Sequence, residues 1–283
     1  MDAFWLTGQG PVSLREPLYL GIVNVTPDSF SDGGRFLEPR AALAQAATLV
    51  LQGARALDLG AESTRPGSAG IPPGPEWARL EPVLALLRAE QPQVPVSLDT
   101  RHAPVAVRGL LAGAAAINDV TGFRDPQLLA TVAAANCGVI AMRSRVEDGV
   151  LAMPPYSRPG PGSSISELLQ ELRGVRDRLL RAGVARERIL LDPGFGFGTT
   201  FAGDRALWDA LPGLPEALDW PVERFCIGIS RKRFLAWRAN QPTLPADQRD
   251  DLTAEAHQEA MGLGYRVFRT HRVPSWRPPV PAG

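Results

Sequence analysis

The residues best suited to binding chemistry are polar side chains at the ends of short apolar runs. They offer carboxylate, amide, hydroxyl, ammonium, guanidinium and imidazole groups: Asn24, Asp99, Asn118, Asp119, Asp192, Ser230, Arg231, Lys232, Arg269 and His271. Carboxylate and amide oxygens accept hydrogen bonds from N–H donors, whereas cationic side chains bind anions. If the apolar runs are parallel strands of a barrel, these groups meet at one mouth. We therefore interpret them as one binding site, although the ordinary polarity of loops explains some of them.

Two loops contain groups that bind phosphate oxygens. Residues 24–34 (NVTPDSFSDGG) and 62–70 (ESTRPGSAG) combine hydroxyls, glycines and, in the second loop, an arginine. Hydroxyls, backbone N–H groups and a guanidinium fork together suit an anion. Asn24, Asp28 and Asp32 supply oxygen ligands of the kind that Mg²⁺ prefers, with phosphates and water completing the octahedron. Taken alone, either loop is equally compatible with an ordinary solvent loop.

A glycine-rich run at 192–198 (DPGFGFG) suits a planar ligand. The carboxylate of Asp192 can accept two N–H bonds from a guanidine-like edge while Phe195 or Phe197 packs against the ring. The alternative is a tight loop whose two phenylalanines belong to the core. No Walker A sequence is present, and this run is not a dinucleotide-binding fingerprint.

Lysine is nearly absent from a chain that is rich in arginine. Of the 30 basic residues, only Lys232 is a lysine. A lysine side chain ends in a compact ammonium group, whereas the arginine fork is wide and planar. We therefore treat Lys232 as a candidate for a contact that arginine cannot make, against the alternative that it lies by chance anywhere on the surface.

Eight short apolar runs predict strands that are buried on both faces. They are 19–25, 54–59, 94–98, 115–118, 138–142, 188–192, 224–229 and 265–269. Helical spacing of apolar residues occurs between and after them, at 38–52, 76–89, 103–112, 126–136, 163–182, 204–217, 232–240 and 252–263. Ser164, three residues before Glu167, predicts a capping box at the start of the fifth helix. The alternation of strands and helices predicts an α/β fold with a parallel sheet.

The length of 283 residues matches one closed (β/α)8 TIM barrel. A doubly wound open sheet is the alternative. No shift in composition divides residues 1–283, so we expect a single barrel domain. Residues 1–18 are expected to form an N-terminal extension that covers the bottom of the barrel, and residues 273–283 a proline-rich tail.

Composition argues against several classes of protein. The 30 basic and 30 acidic residues give zero net charge, which argues against a nucleic-acid partner or a polybasic membrane contact. No apolar run approaches the roughly 20 residues of a membrane span, and the N-terminus has no signal-peptide pattern. Cys137 and Cys226 lie in apolar segments, as expected for two buried thiols in a reducing cytoplasm.

Seven motifs together resemble the dihydropteroate synthase family of pterin-binding barrels. In order, they are GIVNVTPDSFSDGG, ESTRPG, SLDT, INDVTG, LDPGFGFG, GISRK and RTH. The resemblance extends from about residue 20 to residue 273 and implies a transferase of folate biosynthesis. Such an enzyme joins 4-aminobenzoate to 6-hydroxymethyl-7,8-dihydropterin diphosphate and releases diphosphate. The family also implies a Mg²⁺ cofactor and a homodimer.

The resemblance implies roles for individual residues. The metal ligand is expected to be Asn24. Diphosphate oxygens are expected to bind Thr64, Arg65, Arg269 and His271. The pterin is expected to bind Asp99, Asn118, Asp192 and Lys232. The flat rings and the aminobenzoate are expected to contact Phe30, Met142, Phe197 and Arg233. The groups assigned to catalysis are Asp99, Lys232, Arg269 and His271, and no general base is assigned.

Several positions depart from the family pattern. Arg233 stands where a serine commonly contacts the aminobenzoate carboxylate, and Arg143 stands where a histidine is common at the rim. Thr199 replaces a common lysine, and Arg272 replaces an aspartate. Residues 257–259 (HQE) occupy positions that are usually small or apolar, and we interpret them as a solvated helix face.

Two other functions stay open from the sequence. The first is a pterin-binding methyltransferase that acts on a reduced folate, which does not need the 24–34 metal and diphosphate loop or the cluster of anion-binding cations. The second is a non-catalytic paralogue that binds pterin without turnover, which the departures at Arg233 and Thr199 leave open.

Overall fold

The computed structural model describes residues 3–25, 37–62, 70–147, 150–152, 154–158, 160 and 164–275. An antiparallel hairpin, β1 (Phe4–Thr7) and β2 (Gly10–Ser13), precedes a sheet of eight parallel strands. The first five strands of that sheet are β3 (Leu18–Asn24), β4 (Ala56–Gly60), β5 (Val96–Asp99), β6 (Ala116–Asp119) and β7 (Gly138–Met142). A short hairpin follows, β8 (Val146–Glu147) and β9 (Val150–Leu151). The last three strands of the sheet are β10 (Ile189–Asp192), β11 (Cys226–Ile227) and β12 (Val267–Thr270).

The eight parallel strands close into a barrel. Their order is β10-β7-β6-β5-β4-β3-β12-β11, and Leu191 on β10 forms a parallel bridge with Phe225, directly before β11. This bridge joins the two strands at the ends of the order. The predicted (β/α)8 barrel is confirmed, and the doubly wound open sheet is wrong. The predicted strand ends differ from the observed ones by at most two residues.

The helices of the described residues alternate with the barrel strands. They are α1 (Leu37–Gln52), α2 (Pro73–Glu90), α3 (Ala103–Leu111), α4 (Pro126–Ala134), α5 (Ile165–Arg181), α6 (Phe201–Asp209), α7 (Leu214–Ala217), α8 (Arg233–Arg238) and α9 (Asp250–Gly262). Leu98 of β5 points out of the barrel and lies against Gly109 of α3, so this strand residue packs on a helix. None of the helices described has the length and apolar content of a membrane span.

Two predictions about the helices are wrong. The single helix predicted at 204–217 is divided into α6, a 3-10 turn at Leu211–Gly213, and α7. Pro212 explains the break because it has no N–H to donate and its ring clashes with the preceding turn. The capping box is also absent, since Ser164 makes no side-chain cap and its hydroxyl instead contacts that of Ser166 at 2.7 Å.

The β1–β2 hairpin covers the amino-terminal end of the barrel. Trp5 is 1% exposed and belongs to the apolar cluster of inward-facing residues at that end. Its indole Nε1 donates a hydrogen bond to the carbonyl of Arg188 at 2.9 Å. Gly138 leaves room for the ring, because a Cβ atom there would lie 2.6 Å from the indole. The extension therefore lies where the sequence predicts it.

The interior of the barrel changes from apolar to polar along each strand. Alternate strand residues face the interior, so successive layers lie two residues apart. The lower layer is apolar and includes Ala56, Ala116, Ile140, Leu190 and Val267. Two residues further along the same strands stand Asp58, Asn118, Met142, Asp192 and Arg269. The barrel interior is therefore apolar toward the amino-terminal end of the strands and polar at their carboxyl end.

His257 on α9 contradicts the predicted solvated face. Gln258 and Glu259 are exposed, and Glu259 pairs with Arg238 at 2.6 Å. His257 instead is 0% exposed and packs against the rings of Phe268 (4.7 Å between centroids) and Tyr19 (6.1 Å). Neither ring nitrogen has a hydrogen-bond partner among the described residues. Helical periodicity explains the difference, because position 257 shares a face with the buried Thr253 and Ala260.

Candidate active site

Arg269 on β12 joins the polar residues of three other strands. Its Nε donates to Asp58 Oδ2 on β4 at 2.6 Å, and its Nη2 donates to Asp99 Oδ2 on β5 at 2.7 Å. Asn118 Nδ2 on β6 donates to the same Asp58 oxygen at 2.9 Å. Residues far apart in the sequence therefore form one connected hydrogen-bond network at the carboxyl end of the barrel.

Asn24 lies beside this network at the end of β3. A Cβ atom at Gly60 would lie 3.7 Å from both Asn24 Oδ1 and Asp99 Oδ2. Glycine at position 60 therefore leaves room between the Asn24 amide and the Asp99 carboxylate. Among the described residues no group of three His, Cys, Asp or Glu side chains is arranged to hold a metal ion.

Asp192 ends β10 and faces the same interior. Its Oδ1 accepts a hydrogen bond from the backbone N–H of Gly194 at 2.7 Å. Gly228 lies against the other oxygen, since a Cβ atom there would be 2.5 Å from Asp192 Oδ2. Burial raises the pKa of this carboxyl group, and the nearby ammonium of Lys232 opposes that rise. Glycine at position 228, directly after β11, therefore leaves room for this carboxylate oxygen in the barrel interior.

Lys232 begins the turn into α8 and points its ammonium group back across the barrel mouth. Its Nζ donates to the carbonyl of Phe195 at 2.7 Å and lies 4.5 Å from the centre of the Phe197 ring. Burial lowers the pKa of Lys232 to about 8, against the opposing effect of Asp192 and Asp204. The group is therefore mostly charged at neutral pH but close to its titration range.

The pKa of Asp99 is also displaced toward neutrality. Burial raises it to about 7, while the guanidinium of Arg269 opposes the rise. The pKa of Arg269 is raised in turn by the carboxylates of Asp58 and Asp99, although burial acts against them. A carboxyl group and an ammonium group with pKa values near 7 and 8 lie at the same mouth, which is typical of functional sites.

Ser230 and His271 form a second contact at the mouth. The Ser230 hydroxyl lies 3.0 Å from His271 Nδ1 and accepts the His271 backbone N–H at 3.2 Å. Arg231 between Ser230 and Lys232 has a left-handed backbone, with φ of 58°. The Arg231 guanidinium forms a bidentate pair with Asp250 (2.6 and 2.8 Å), which holds this strained residue in place. The left-handed turn at Arg231 directs Ser230 and Lys232 toward the site.

Asp204 on α6 holds the glycine-rich loop that follows β10. This buried carboxylate accepts hydrogen bonds from the Thr199 hydroxyl (2.7 Å), the Gly196 N–H (2.8 Å) and the Tyr156 hydroxyl (2.8 Å). Thr199, which replaces a lysine of the family pattern, is thus a structural part of the loop. Phe195 is fully buried among other aromatic rings, whereas Phe197 faces Lys232. Phe195 therefore belongs to the core, whereas a contact of Phe197 with a planar ligand stays a prediction.

Two arginines that depart from the family pattern have different positions. The Arg233 guanidinium lies 3.8 Å from the centre of the Tyr156 ring, next to Lys232 at the mouth. Arg143 is 1% exposed and points away from the rim. It donates to the carbonyls of Pro193 and Gly194 and pairs with Glu171, so it supports the loop and does not contribute a rim contact.

The remaining predicted residues divide into two groups. Met142 ends β7, is buried in the barrel interior and is the register partner of Asp192 on β10. Outside the described residues lie Phe30, Thr64 and Arg65, together with the candidate metal ligands Asp28 and Asp32.

Sequence reasoning missed Asp58 and Asp204. A signal for Asp58 was present, because a carboxylate in the middle of the apolar strand ALDLG is unusual unless it is paired. No comparable signal marks Asp204, since an acid in the first turn of a helix is common on a surface. Only the fold brings it under the glycine-rich loop.

Residues 20–271 match the sequence family described as "Pterin binding enzyme". The chain belongs to this family. A dihydropteroate synthase of Mycobacterium leprae is 38% identical over 266 residues, covering 93% of this chain and 90% of that protein. The resemblance to dihydropteroate synthase noted in the sequence is therefore confirmed.

Solved structures of pterin-binding enzymes share the fold over nearly the whole chain. A Xanthomonas albilineans dihydropteroate synthase with 4-aminobenzoic acid has a TM-score of 0.83 and 35% identity, covering 97% of this chain and 94% of that one. A Burkholderia cenocepacia dihydropteroate synthase complexed with 7,8-dihydropteroate has a TM-score of 0.79 and 31% identity, with 97% and 92% covered.

Proposed function

We propose that this pterin-binding enzyme is a dihydropteroate synthase, a transferase that condenses 4-aminobenzoate with 6-hydroxymethyl-7,8-dihydropterin diphosphate. The observation that supports this most directly is the hydrogen-bond network of Arg269 with Asp58, Asp99 and Asn118, next to Asp192 and Lys232. Carboxylate oxygens face an interior where a pterin would present amino and ring N–H groups. The cations at the same mouth suit an anionic leaving group.

The proposed reaction exchanges one bond for another at the pterin methylene carbon. The carbon–oxygen bond breaks, and its electron pair leaves with the diphosphate. The amine nitrogen of 4-aminobenzoate forms the new carbon–nitrogen bond and then loses a proton, which the released diphosphate or solvent water takes up. Asp99 and Asp192 would stabilise positive charge that develops on the pterin and its methylene, while Arg269 and His271 would stabilise the departing diphosphate.

Lys232 and the aromatic groups would bind and orient the reactants. The Lys232 ammonium would donate to the pterin carbonyl and ring nitrogen, and Met142 and Phe197 would pack on the flat rings. Arg233 would pair with the aminobenzoate carboxylate, which its position beside Lys232 and over Tyr156 supports. Thr64 and Arg65 are proposed to bind the diphosphate and Phe30 to complete the aminobenzoate site.

Mg²⁺ is the proposed cofactor, and Asn24 is the proposed protein ligand. The amide oxygen of Asn24 is a hard donor at the mouth, near Asp99 and at the rim where the diphosphate would lie. A single protein ligand is compatible with Mg²⁺, which commonly keeps waters and takes substrate phosphates as ligands. When bound, the ion would neutralise charge on the diphosphate oxygens.

Replacing Asn24 by alanine is expected to raise the Mg²⁺ requirement. The variant Asn24→Ala loses the amide oxygen and should need several-fold more Mg²⁺ for half-maximal diphosphate release. A Mg²⁺ titration of initial rates measures the change, and pterin binding in the absence of metal should be unaffected. An identical titration curve for variant and parent would contradict the assignment.

The variant Arg233→Ser is expected to weaken the binding of 4-aminobenzoate more than the binding of the pterin diphosphate. Loss of a charge-assisted contact to the carboxylate should raise the KM for 4-aminobenzoate roughly fivefold and leave that for the pterin diphosphate nearly unchanged. Arg238→Ser is the matched control, because Arg238 lies on the same helix but pairs with Glu259. Equal effects of Arg233→Ser on both substrates would show that Arg233 does not contact the aminobenzoate.

One assay separates the synthase from its two alternatives. The purified chain should release diphosphate only when the pterin diphosphate, 4-aminobenzoate and Mg²⁺ are all present. Tight binding of the pterin diphosphate without release would support a non-catalytic paralogue. Methyl transfer from a reduced folate, with no diphosphate release, would support the methyltransferase. Pairing as a homodimer and a cytoplasmic location stay predictions.

A further inference from the structure

Asp58 belongs to the polar layer of the barrel interior but is not among the site residues predicted from the sequence. It lies in the middle of β4, between β3 and β5, is 0% exposed, and pairs with Arg269 of β12, two strands away. Its Oδ2 accepts hydrogen bonds from Arg269 Nε and Asn118 Nδ2, so one oxygen serves two groups that are proposed to bind substrate.

The carboxylate of Asp58 fixes the orientation of the Asn118 amide. An ionised carboxylate only accepts hydrogen bonds, so the NH₂ group of Asn118 must face it. The amide oxygen of Asn118 is therefore turned away from Asp58 as an acceptor. A free amide can rotate and present either group, and an acceptor-only neighbour such as a carboxylate removes that ambiguity. Asp58 thereby determines which hydrogen-bond partner residue 118 can take.

The same carboxylate fixes the plane of the Arg269 fork. Asp58 holds Nε and Asp99 holds Nη2, at 2.6 and 2.7 Å, so two carboxylates define the guanidinium plane. No hydrogen bond to Nη1 occurs within the described part of the chain, which leaves that donor for an anion. The other Asp58 oxygen, Oδ1, is buried and accepts no hydrogen bond from the described residues. A pair serving stability alone would gain from saturating both oxygens.

We propose that Asp58 is a positioning residue that sets Asn118 as an acceptor and aims Arg269 for the proposed synthase reaction. This inference rests on the proposed function for its substrate, but its direct test is a binding measurement that needs no turnover. The ligand for that test is 6-hydroxymethyl-7,8-dihydropterin, which lacks the diphosphate and cannot react.

The variant Asp58→Leu tests the proposal. Leucine has nearly the shape of aspartate but accepts no hydrogen bond, so the Asn118 amide is free to rotate and Arg269 Nε loses its partner. Calorimetry should show roughly tenfold weaker binding of 6-hydroxymethyl-7,8-dihydropterin, and in turnover the KM for 4-aminobenzoate should change little. Ser97→Ala is the matched control, because Ser97 is the register partner of Asp58 on β5 and its buried hydroxyl has no partner among the described residues. That control should bind the pterin as the parent does.

Two further variants complete the test. In Asp58→Asn the amide oxygen can take the place of Oδ2 and accept from both Arg269 and Asn118, while the NH₂ group lies where Oδ1 has no partner among the described residues. This variant should keep most of the pterin affinity that Asp58→Leu loses, which supports the positioning role. Asp58→Ala removes the same acceptor and replaces Asp58→Leu if the latter does not fold. Parent-like pterin affinity in a folded Asp58→Leu or Asp58→Ala, or an equal loss in a folded Asp58→Asn, overturns it. Failure of the parent to release diphosphate while binding pterin overturns the proposed function instead.

Discussion

Removing the ammonium group of Lys232 is expected to weaken pterin binding about a hundredfold. The variant Lys232→Met keeps the unbranched stem that crosses Phe197 and removes only the cation. Asp192 then loses the positive charge that opposes the rise of its pKa on burial, and the pterin loses its proposed donor. Calorimetry with 6-hydroxymethyl-7,8-dihydropterin measures the affinity, and urea unfolding shows whether the variant is as stable as the parent.

The scarcity of lysine allows a second, independent measurement. An amine-selective reagent can modify only Lys232 and the N-terminal amine, because the chain has no other lysine. Bound pterin should protect Lys232 and leave the N-terminus reactive, which peptide mass spectrometry resolves. Lys232→Arg should not restore affinity, since the planar fork is wider than the ammonium it replaces. Labelling of Lys232 that pterin does not reduce would remove this residue from the site.

Lys232 also predicts the direction of the pH dependence. Its pKa is lowered to about 8, so the cation is present below that value and is lost as the pH rises through it. Pterin affinity should therefore fall above about pH 8 in the parent, and this decline should be absent in Lys232→Met.

The location of the described candidate residues at the carboxyl ends of the strands followed from local patterns in the sequence. Short apolar runs ending in Asn24, Asp99 or Asp192 predicted both the strands and their polar ends, because a parallel barrel brings every carboxyl end to one mouth. The alternation along each strand carried more information than we used. In the strand ALDLG this alternation places Asp58 on the same face as Ala56, two residues before the strand ends at Gly60.

Contacts between distant elements did not follow from local patterns. Arg143 stands where a rim histidine is common in the family, yet its buried side chain donates to the carbonyls of Pro193 and Gly194. Asp204 supports the glycine-rich loop from a different element. Such contacts depend on the packing of loops against helices, which sequence spacing does not encode.

His257→Leu is expected to stabilise the protein, increasingly so at acid pH. The two ring nitrogens of His257 are buried without hydrogen-bond partners in the described residues. Leucine puts an apolar group of similar size in place of this ring, which should add about 1–3 kcal/mol to the free energy of unfolding at neutral pH. Burial lowers the pKa of His257 to about 3, and that of the adjacent Tyr19 is raised by burial to about 12. Neither ring is therefore charged in the folded protein near neutral pH.

The sign of the pH dependence follows from the two pKa values of His257. The unfolded chain binds a proton below about pH 6.5, whereas the folded protein resists protonation until about pH 3, so parent stability declines as the pH falls between them. At pH 5 this linkage amounts to about 2 kcal/mol. The gap between His257→Leu and the parent should widen by that amount from pH 7.5 to pH 5 in urea unfolding. Gln258→Leu, the same change at the exposed neighbouring position, should leave the pH dependence of the parent intact. Parallel stability curves for His257→Leu and the parent would mean that residue 257 is not buried as a neutral ring.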